Sequence, residues 1–510
     1  MNTSYITTPI YYVNGSPHIG HAHTTIMADI LKRYRRMRGL EVFMTTGTDE
    51  HGQKNQEAAE ASGLTAMEYL DRQSAEFRSL FDRLGVDYDF FVRTTRPYHI
   101  EQVRHFERLL DEKGLIEKNA YQGLYCTGCE QFKVENDLTE DGSCPDHPSL
   151  ELEDTDETNY FVRIEDYRPW LLAHLEANPD WLQPERYRNE VRQMLSEPLE
   201  DLCISRPKSR VSLGVELPFD GDYVTYVWFD ALINYITNVG WPDEVEFKWW
   251  QNAEHLIGKD IVKTHCIYWP IMLHALEIKL PERVSVHGYW VGAGGQKMSK
   301  TLGNVVDPVE VIDAFGVDAL RYYLAKNMRT NADSQISVDL IRQTYESDLA
   351  NNLGNLLSRV VKFTSSRFDG KVSAPDQLHA DDKALVDGIA AGLHQAFAEM
   401  DMHSIPASLT AIMEAASRMN EYVTAQAPWT LIKEDSQMAR VESILYAVLD
   451  GLRLVSEALY PFMPVSANKA LAVLGRPAMA EDAALHEFEG GLLEPGSALG
   501  EAVILFPRVE

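Results

Sequence analysis

The sequence predicts an α/β fold, in which a doubly wound parallel sheet carries an insertion and is followed by an α-helical domain. Two strand–helix–strand units, one at the amino terminus and one from residue 254, predict the sheet because parallel neighbours need a crossover connection. A segment rich in Cys, Pro and Asp separates the two units, and helical periodicity continues almost unbroken after residue 345. The length of 510 residues accommodates about three domains.

The first unit opens the chain. Residues 4–8 (SYITT) predict a short strand, and residues 9–17 (PIYYVNGSP) predict a turn-rich loop. Apolar side chains recur at helical spacing over residues 21–38, Gly39 ends that helix, and residues 41–49 (EVFMTTGTD) predict the next strand. The unit therefore predicts two parallel strands joined by a helix.

The second unit follows the insertion. Residues 254–260 predict a strand and its exit, residues 261–276 a helix, and residues 283–291 another strand. The insertion, residues 118–225, is poor in helical period, whereas residues 345–368 have the long amphipathic pattern typical of a helical domain.

The composition is that of an ordinary globular protein. Hydrophobic residues make up 45% of the chain and charged residues 24%. The opening residues have no signal-peptide pattern, and the most apolar stretch, residues 266–276, is too short to span a bilayer. The five cysteines form no secreted disulfide framework, and three of them cluster, which is typical of a reducing compartment. We therefore expect a cytoplasmic protein with no membrane partner.

The charge balance gives opposing indications about nucleic acid. A formal net charge of −30 is unfavourable, because phosphate contacts require Lys and Arg. Net charge does not report local patches, however, and residues 32–38 (KRYRRMR) place five basic side chains on one predicted helix. That run is either a nucleic-acid contact or a solvated helix face, and both interpretations stay open.

Three histidines lie within the segment PHIGHAHT, residues 17–24. Clustered imidazoles suggest a metal site, but a metal needs three or four converging ligands, and this loop holds no other His or Cys. The segment enters the first predicted helix from the carboxyl end of a strand, where unpaired backbone N–H groups favour phosphate. We therefore favour a phosphate site, with hydrogen bonds from His18 and His21 and with Gly20 allowing close approach.

A second candidate phosphate-binding segment is the loop GGQKMSKTLGNVVDP, residues 294–308, which carries Lys297 and Lys300. Flexible ammonium groups on a mobile loop can close over a triphosphate and stabilise developing charge. Taken alone, the pattern favours an ordinary exposed loop.

Four potential zinc ligands lie in the insertion. They form two close pairs separated by fourteen residues, namely Cys126 with Cys129 and Cys144 with His147. Three thiolates and one imidazole fit a closed tetrahedral zinc site, whereas a disulfide is the alternative that a reducing compartment disfavours. Cys203 and Cys266 lie apart from these pairs, and we expect them to be buried thiols.

Five segments in register resemble a known family. They are PIYYVNGSPHIGH (9–21), TGTDEHG (46–52), VWFDALINY (227–235), GKDIVKTHCIYWP (258–270) and KMSKTLGN (297–304). PHIGH and KMSKT resemble the HIGH and KMSKS signatures of class I aminoacyl-tRNA synthetases, and the five segments together resemble the methionyl-tRNA synthetases of bacterial type, with a single zinc knuckle. The resemblance covers nearly the whole chain. It implies an ATP-dependent ligase that joins methionine to tRNA(Met), initiator tRNA included.

The resemblance also implies site residues. The catalytic residues would be His18, His21, Lys297 and Lys300. The same four would bind ATP together with Gly20, Gly258, Asp260, His287 and Gly288. The methionine-binding residues would be Ile10, Tyr12, Asp49, Trp228, Ala231, Tyr235, Ile261 and His265. Aromatic walls suit a polarizable thioether, and an α-ammonium needs an anion such as Asp49. His23 would be an ordinary helix residue, and Thr264 would occupy a further pocket position.

Further implications concern partners and cofactors. Asn355, Arg359 and Trp429 would read the tRNA anticodon, although without the resemblance Trp429 would be taken for a core residue. One structural zinc ion would be held by Cys126, Cys129, Cys144 and His147, and magnesium would accompany ATP. A monomer is expected, because the chain ends at EAVILFPRVE without the dimerisation domain of some relatives.

These assignments divide the chain into five regions. They are the first half of a Rossmann-like catalytic domain (1–117), a connective insertion with the zinc knuckle (118–225), the second half of the catalytic domain (226–292), the KMSKT loop and stem-contact region (293–345) and a helical anticodon-binding domain (346–510).

Two alternatives remain. A class I synthetase for leucine, isoleucine or valine would share PHIGH and KMSK, but those enzymes usually carry a much larger editing insertion. A non-catalytic tRNA-binding paralogue would have lost part of the catalytic set, all four members of which are present here.

Overall fold

A computed structural model describes most of the chain. The described residues are 3–128, 131–133, 138–145, 148, 150–243, 246–298, 304–329, 331–372, 375, 377–480, 485 and 487–509. Of the predicted site residues, Cys129, His147 and Lys300 lie outside these ranges.

The strands, in chain order, are β1 (Thr3–Tyr12), β2 (Glu41–Asp49), β3 (Phe90–Arg93), β4 (Ile116–Cys126), β5 (Gln131–Lys133), β6 (Glu153–Val162), β7 (Leu182–Gln183), β8 (Leu202–Cys203), β9 (Ser205–Pro207), β10 (Tyr223–Thr225), β11 (Ala253–Gly258), β12 (Arg283–His287), β13 (Trp290–Val291) and β14 (Ser334–Gln335).

The helices are α1 (Ile19–Met37), α2 (Gln53–Ser62), α3 (Ala66–Arg83), α4 (Pro97–Glu112), α5 (Arg168–Ala177), α6 (Glu185–Met194), α7 (Val227–Thr237), α8 (Trp269–Ala275), α9 (Pro308–Phe315), α10 (Val317–Asn327), α11 (Val338–Thr344), α12 (Asn355–Arg367), α13 (Ala380–Asp401), α14 (Ile405–Gln426), α15 (Pro428–Leu431), α16 (Met438–Leu459) and α17 (Pro464–Val473).

The central sheet has six strands in the order β3–β2–β1–β11–β12–β7, and every neighbouring pair is parallel. Its two faces are covered by separate cores. Ile6 of β1 belongs to a core that continues into the helical domain, whereas the adjacent Tyr5 belongs to a core shared with α4, α7 and α8. Successive residues of a strand face opposite sides, so a sheet covered on both faces needs this apolar run. The predicted doubly wound sheet is confirmed.

The insertion contains more helix than its sequence pattern predicts. Its main element is an antiparallel sheet in the order β5–β4–β6–β8. Two helices, α5 and α6, lie between β6 and β8 in the chain, so the expectation of a region poor in helical period is wrong for residues 168–194. Each helix has only ten residues, too few to establish a clear apolar repeat.

One predicted boundary in the first unit changes. The turn-rich loop predicted from residue 9 begins later, because β1 continues to Tyr12 and pairs Ile10 with Gly47 of β2. The register shifts between Thr7 and Ile10, around Pro9, which has no N–H to contribute to a ladder. The strand predicted at 41–49 is confirmed as β2.

Two predicted elements in the second unit are interrupted. The helix predicted at 261–276 is instead a 3₁₀ turn, a π-helical turn (Thr264–Tyr268) and then α8. The first turn of α8 contains Pro270, which has no N–H to donate to a carbonyl of the preceding turn. The strand predicted at 283–291 divides after His287, and its second part, β13, pairs with β14 in a separate small sheet. Residues 345–354 are likewise π-helical before α12 begins.

The basic run at 32–38 is neither a solvated face nor a nucleic-acid patch. Lys32 is fully buried, with Nζ 2.8 Å from Asp89 Oδ2 and 3.1 Å from Asp87 Oδ2. The arginines that follow are paired in the same way: Arg33 with Asp29, Arg35 with Glu254 and Arg36 with Asp87. Acidic partners therefore neutralise these four side chains within the protein, Asp29 from α1 itself and the others from elsewhere in the chain.

Within the described residues, no helix has the length and apolar content needed to cross a lipid bilayer.

Candidate active site

Four parallel strands end at one edge of the central sheet, and predicted site residues lie at those ends. β1 ends at Tyr12, β2 at Asp49, β11 at Gly258 and β12 at His287. β1 and β11 are neighbours even though the chain winds away from β1 and returns much later, so a topological switch point lies between them. Ligands of open α/β sheets bind in the crevice at this position.

The PHIGH segment forms the amino-terminal cap of α1. His18 Nδ1 accepts the backbone N–H of Gly20 at 3.1 Å, and His21 Nδ1 accepts the backbone N–H of His18 at 3.2 Å. The two rings stack with centroids 3.7 Å apart. A Cβ at Gly20 would lie 3.0 Å from the ring of His18, so only glycine leaves this stack undisturbed. Since each Nδ1 accepts, a neutral ring carries its proton on Nε2 and can donate it to an oxygen ligand.

His21 is held as a neutral imidazole. Its ring packs against Tyr11 and Phe77, with centroid distances of 4.7 and 5.1 Å. Burial lowers the pKa of His21 well below its usual value, and the adjacent His18 lowers the pKa further. The site therefore offers hydrogen-bond donors rather than fixed positive charge at this position.

The predicted nucleotide residues lie at the ends of β11 and β12. His287 Nε2 is 2.8 Å from Thr24 Oγ1 of α1, and its Nδ1 is 2.9 Å from the carbonyl oxygen of Gly288. A Cβ at Gly258 would lie 2.5 Å from an oxygen of Asp260. A Cβ at Gly288 would lie 2.5 Å from the backbone carbonyl oxygen of Ala332, so this position requires glycine, whereas at Gly258 the atom in contact belongs to a side chain.

All eight predicted methionine-binding residues line one cavity beside this crevice. The empty space between its walls is about 330 Å³ when the adjoining open solvent is included. Its lining comprises Ile10, Tyr12, Asp49, Trp228, Ala231, Tyr235, Ile261 and His265, together with Pro9, Leu232 and Asn234, which sequence reasoning missed. Thr264 is buried and does not line this cavity, so its assignment to the pocket stays a prediction.

The cavity combines aromatic walls with a buried carboxylate. Tyr12 and Trp228 meet edge to face, with ring centroids 5.8 Å apart, and Asp49 is 2% exposed. His265 Nδ1 is 2.9 Å from the carbonyl of Ile261, so this nitrogen carries the proton. Burial lowers the pKa of His265 to about 4, and its neutral Nε2 accepts the hydroxyl of Tyr235 at 2.7 Å. A cation with an apolar, polarizable tail fits such a site.

Lys297 of the KMSKT loop is exposed, whereas Met298 is half-buried. Lys297 follows a 3₁₀ turn, Ala293–Gly295, and its carbonyl accepts Asn304 Nδ2 at 3.2 Å. Lys300 lies outside the described residues.

Two of the four predicted zinc ligands are described. Cys126, at the end of β4, and Cys144 are both fully buried. Lys54 of α2 donates to the carbonyl of Gly128, so the knuckle segment contacts the catalytic domain next to the TGTDEHG segment. Cys203 and Cys266 are buried, as expected, and burial raises the pKa of each thiol.

The predicted anticodon residues gather at one surface of the helical domain. The guanidinium carbon of Arg359 lies 5.4 Å from the ring centroid of Trp429, and Arg359 Nη2 donates to Asn420 Oδ1 at 3.2 Å. Trp429 is 39% exposed, so its interpretation as a core residue is wrong. Asn355, one helical turn before Arg359 on α12, is exposed. Sequence reasoning missed Asn420, which lies on a different helix, α14.

Three further residues were missed although two of them stand in the quoted segments. His51 of TGTDEHG and Asp230 of VWFDALINY are hydrogen-bonded to each other at 2.6 Å, and His99 bonds the same carboxylate at 2.7 Å. A buried Asp beside two distant histidines leaves no local pattern in the sequence.

Two family models match the chain. The model described as "tRNA synthetases class I (M)" matches residues 4–156 and 151–361. The model described as "Anticodon binding domain of methionyl tRNA ligase" matches residues 372–510. A parallel sheet with its crevice at the PHIGH helix, followed by this helical domain, defines the protein as a class I aminoacyl-tRNA synthetase.

Relatives and solved structures agree on one amino acid. The chain is 42% identical over 513 residues to a methionine–tRNA ligase of Caldanaerobacter subterraneus, with all of this chain and 79% of the relative covered. It is 38% identical to that of Streptomyces coelicolor, with 99% of this chain and 96% of the relative covered. A structure of Mycobacterium tuberculosis methionyl-tRNA synthetase in complex with methionyl-adenylate superposes with a TM-score of 0.94, at 36% identity and with both chains fully covered. The chain belongs to the methionyl-tRNA synthetase family, and the predicted family and fold are confirmed.

Proposed function

We propose that this chain activates methionine with ATP and transfers it to tRNA(Met), with the predicted residues in the following roles. In the first step a carboxylate oxygen of methionine attacks the α-phosphorus of ATP in line. A new P–O bond forms, the bond to the bridging oxygen breaks, and pyrophosphate leaves. In the second step the 2′-hydroxyl of the terminal ribose attacks the adenylate carbonyl, and AMP leaves.

The proposal rests on the convergence, in one cavity, of all eight residues that the resemblance assigns to methionine. Asp49 binds the α-ammonium group, and Tyr12 and Trp228 contact the thioether. Anchoring both ends of the amino acid turns its carboxylate towards the crevice, where the PHIGH helix begins.

The PHIGH and KMSKT segments stabilise the negative charge of the phosphates. His18 and His21 donate from Nε2 to phosphate oxygens, and Lys297 and Lys300 neutralise charge that develops on the leaving pyrophosphate. Magnesium, bound with ATP, supplies further neutralisation on the phosphates.

Zinc and anticodon roles complete the proposal. Cys126 and Cys144 are buried, as closed structural zinc ligands should be, and Cys129 and His147 would complete the set. The exposed cluster of Asn355, Arg359 and Trp429 would read the anticodon, with 346–510 as the anticodon-binding domain.

The other regions would be 1–117 and 226–292 for catalysis, 118–225 for the insertion and 293–345 for the loop and stem contacts. The cytoplasm, where tRNA is charged for translation, is the proposed location.

Amino-acid-dependent ATP–pyrophosphate exchange tests this function directly. With all twenty amino acids assayed separately, methionine should be the one that supports exchange. Asp49→Asn should abolish most of it by removing the ammonium partner. Equal stimulation by leucine or valine would contradict the methionine assignment. Absence of exchange with every amino acid would instead indicate a non-catalytic paralogue.

A further inference from the structure

A buried carboxylate beside the methionine cavity binds two histidines from different elements. His51 Nδ1 donates to Asp230 Oδ2 at 2.6 Å, and His99 Nε2 donates to Asp230 Oδ1 at 2.7 Å. The side chains of His51, His99 and Asp230 are 5%, 0% and 1% exposed. None of the three has a role in the reaction steps described above.

Asp230 is ionised in the folded protein. Burial alone would raise the pKa of its carboxyl, but His51 and His99 outweigh burial and hold the pKa well below its usual value. A buried carboxylate needs strong hydrogen bonds, and the two imidazole N–H groups supply them. His99 Nδ1 also lies 3.2 Å from Thr237 Oγ1 of the same helix, α7, which fixes the orientation of its ring.

His51 belongs to the loop that presents Asp49. Asn55 Nδ2 donates to the carbonyl oxygens of Asp49 and His51, at 2.9 and 2.8 Å. Between them, Glu50 Oε1 accepts Arg93 Nε at 2.6 Å. The two residues after Asp49 are therefore held by different elements. Glu50 bonds to Arg93 at the end of β3, and His51 bonds to Asp230 of α7.

Helix α7 in turn carries five residues of the cavity wall, namely Trp228, Ala231, Leu232, Asn234 and Tyr235. Asp230 lies on the same helix, between Trp228 and Ala231. The His51–Asp230 hydrogen bond thus joins the two parts of the cavity that would bind opposite ends of methionine.

We propose that Asp230 is a positioning residue for methionine, which acts through His51 to set the spacing between Asp49 and the walls on α7. This inference rests on the proposed function, because it takes methionine as the occupant of the cavity. An oriented ligand contact weakens steeply when its partner is displaced by about 1 Å, so loose spacing should lower methionine affinity. ATP uses other strand ends, so its binding should change little.

Asp230→Asn in the full-length protein tests the proposal, because asparagine keeps the shape but loses the charge. In ATP–pyrophosphate exchange we expect the KM for methionine to rise about ten- to a hundredfold and the KM for ATP to stay within about twofold. His51→Gln, which cannot reproduce the imidazole contact, should shift the methionine KM in the same direction. It provides the measurement if Asp230→Asn fails to fold.

The matched control is Asp450→Asn in the helical domain. Asp450 is also fully buried and pairs with Arg453 Nε at 2.8 Å, but it lies on α16. The Asp450→Asn substitution should lower the melting temperature and leave the methionine KM unchanged. A folded Asp230→Asn protein with a normal methionine KM, or with both KM values raised equally, would overturn the positioning role. Wild-type protein without methionine-dependent exchange would instead contradict the proposed function itself.

Discussion

Arg321 Nη2 lies 2.6 Å from Asp29 Oδ2, and both side chains are fully buried. Asp29 is on α1, the helix that begins at the PHIGH segment, and Arg321 is on α10. The same guanidinium donates through Nε to the carbonyl of Phe462 at 2.9 Å, in the turn after α16. One arginine therefore bonds the helix that begins at the PHIGH segment both to α10 and to the helical domain.

Arg321→Met should destabilise the protein strongly. The substitution leaves Asp29 with Arg33 as its remaining charged partner in a buried site, and breaking a buried pair costs about 3–5 kcal/mol. Arg83→Met is the control, because Arg83 pairs with Asp313 at the surface, where an ion pair contributes at most about 1 kcal/mol. Urea unfolding of both variants measures the difference. Equal losses of unfolding free energy would contradict the role of the buried bond.

Glu107→Gln should stabilise the protein increasingly as the pH rises. Glu107 is fully buried on α4, and burial raises the pKa of its carboxyl well above its usual 4.5. The native state therefore retains a proton that the unfolded chain releases, so wild-type stability falls as the pH rises through the native pKa. Glutamine avoids this loss and still accepts the Thr225 hydroxyl, which lies 2.7 Å away.

Melting temperatures at about pH 5.5 and about pH 8.5 test this linkage. The variant's advantage should be larger at the higher pH. Glu101→Gln, at an exposed position of the same helix, is the matched control. An advantage that does not change with pH would contradict a raised pKa for Glu107.

Lys300→Ala should lower the exchange rate about a hundred- to a thousandfold, while methionine binding weakens far less. The proposed role of this ammonium group is to stabilise charge in the transition state, so its loss should appear in kcat. Lys279→Ala is the control, because Lys279 pairs with Glu282 just before β12, at the opposite end of the strand from His287. A Lys300→Ala protein changed only in KM would contradict this role.

Purified protein prepared without chelators should contain about one zinc ion per chain, measured by elemental analysis. Cys126→Ser should lose the metal and unfold the insertion first, because structural zinc contributes folding free energy directly. Cys203→Ser, at another buried cysteine of the insertion, should retain the metal. Zinc-free protein with those cysteines joined in disulfides would contradict the site.

Trp429→Ala should separate aminoacylation from adenylate formation. If its exposed ring stacks on an anticodon base, the substitution removes about 1–3 kcal/mol of contact. Aminoacylation kcat/KM should then fall about ten- to a few hundredfold, with pyrophosphate exchange near wild type. Met402→Ala, also exposed in the helical domain, should affect neither assay. Joint loss of both activities and of melting temperature would place the anticodon contact elsewhere.

Local pattern was sufficient for much of this molecule. Alternation and turn residues predicted β2 at its observed bounds, and helical spacing predicted α1 to within two residues at its start. The family resemblance of the five segments assigned eight residues to methionine binding, and all eight line one cavity. They do so because strand ends and first helical turns of a parallel sheet converge on one edge, so residues next to those boundaries share a site.

Buried charges whose partners lie far away in the sequence were paired by the tertiary structure alone. The run at 32–38 shows where positive charge lies, but Lys32 finds Asp87 55 residues away. Asp230 pairs with His51, 179 residues away in the sequence, and Arg321 pairs with Asp29, 292 residues away. Periodicity records which side of a helix or strand faces an apolar core, because that property repeats along the chain. A single buried charge produces no repeating pattern along the sequence. Its partner is brought close only when distant elements pack together in the folded chain.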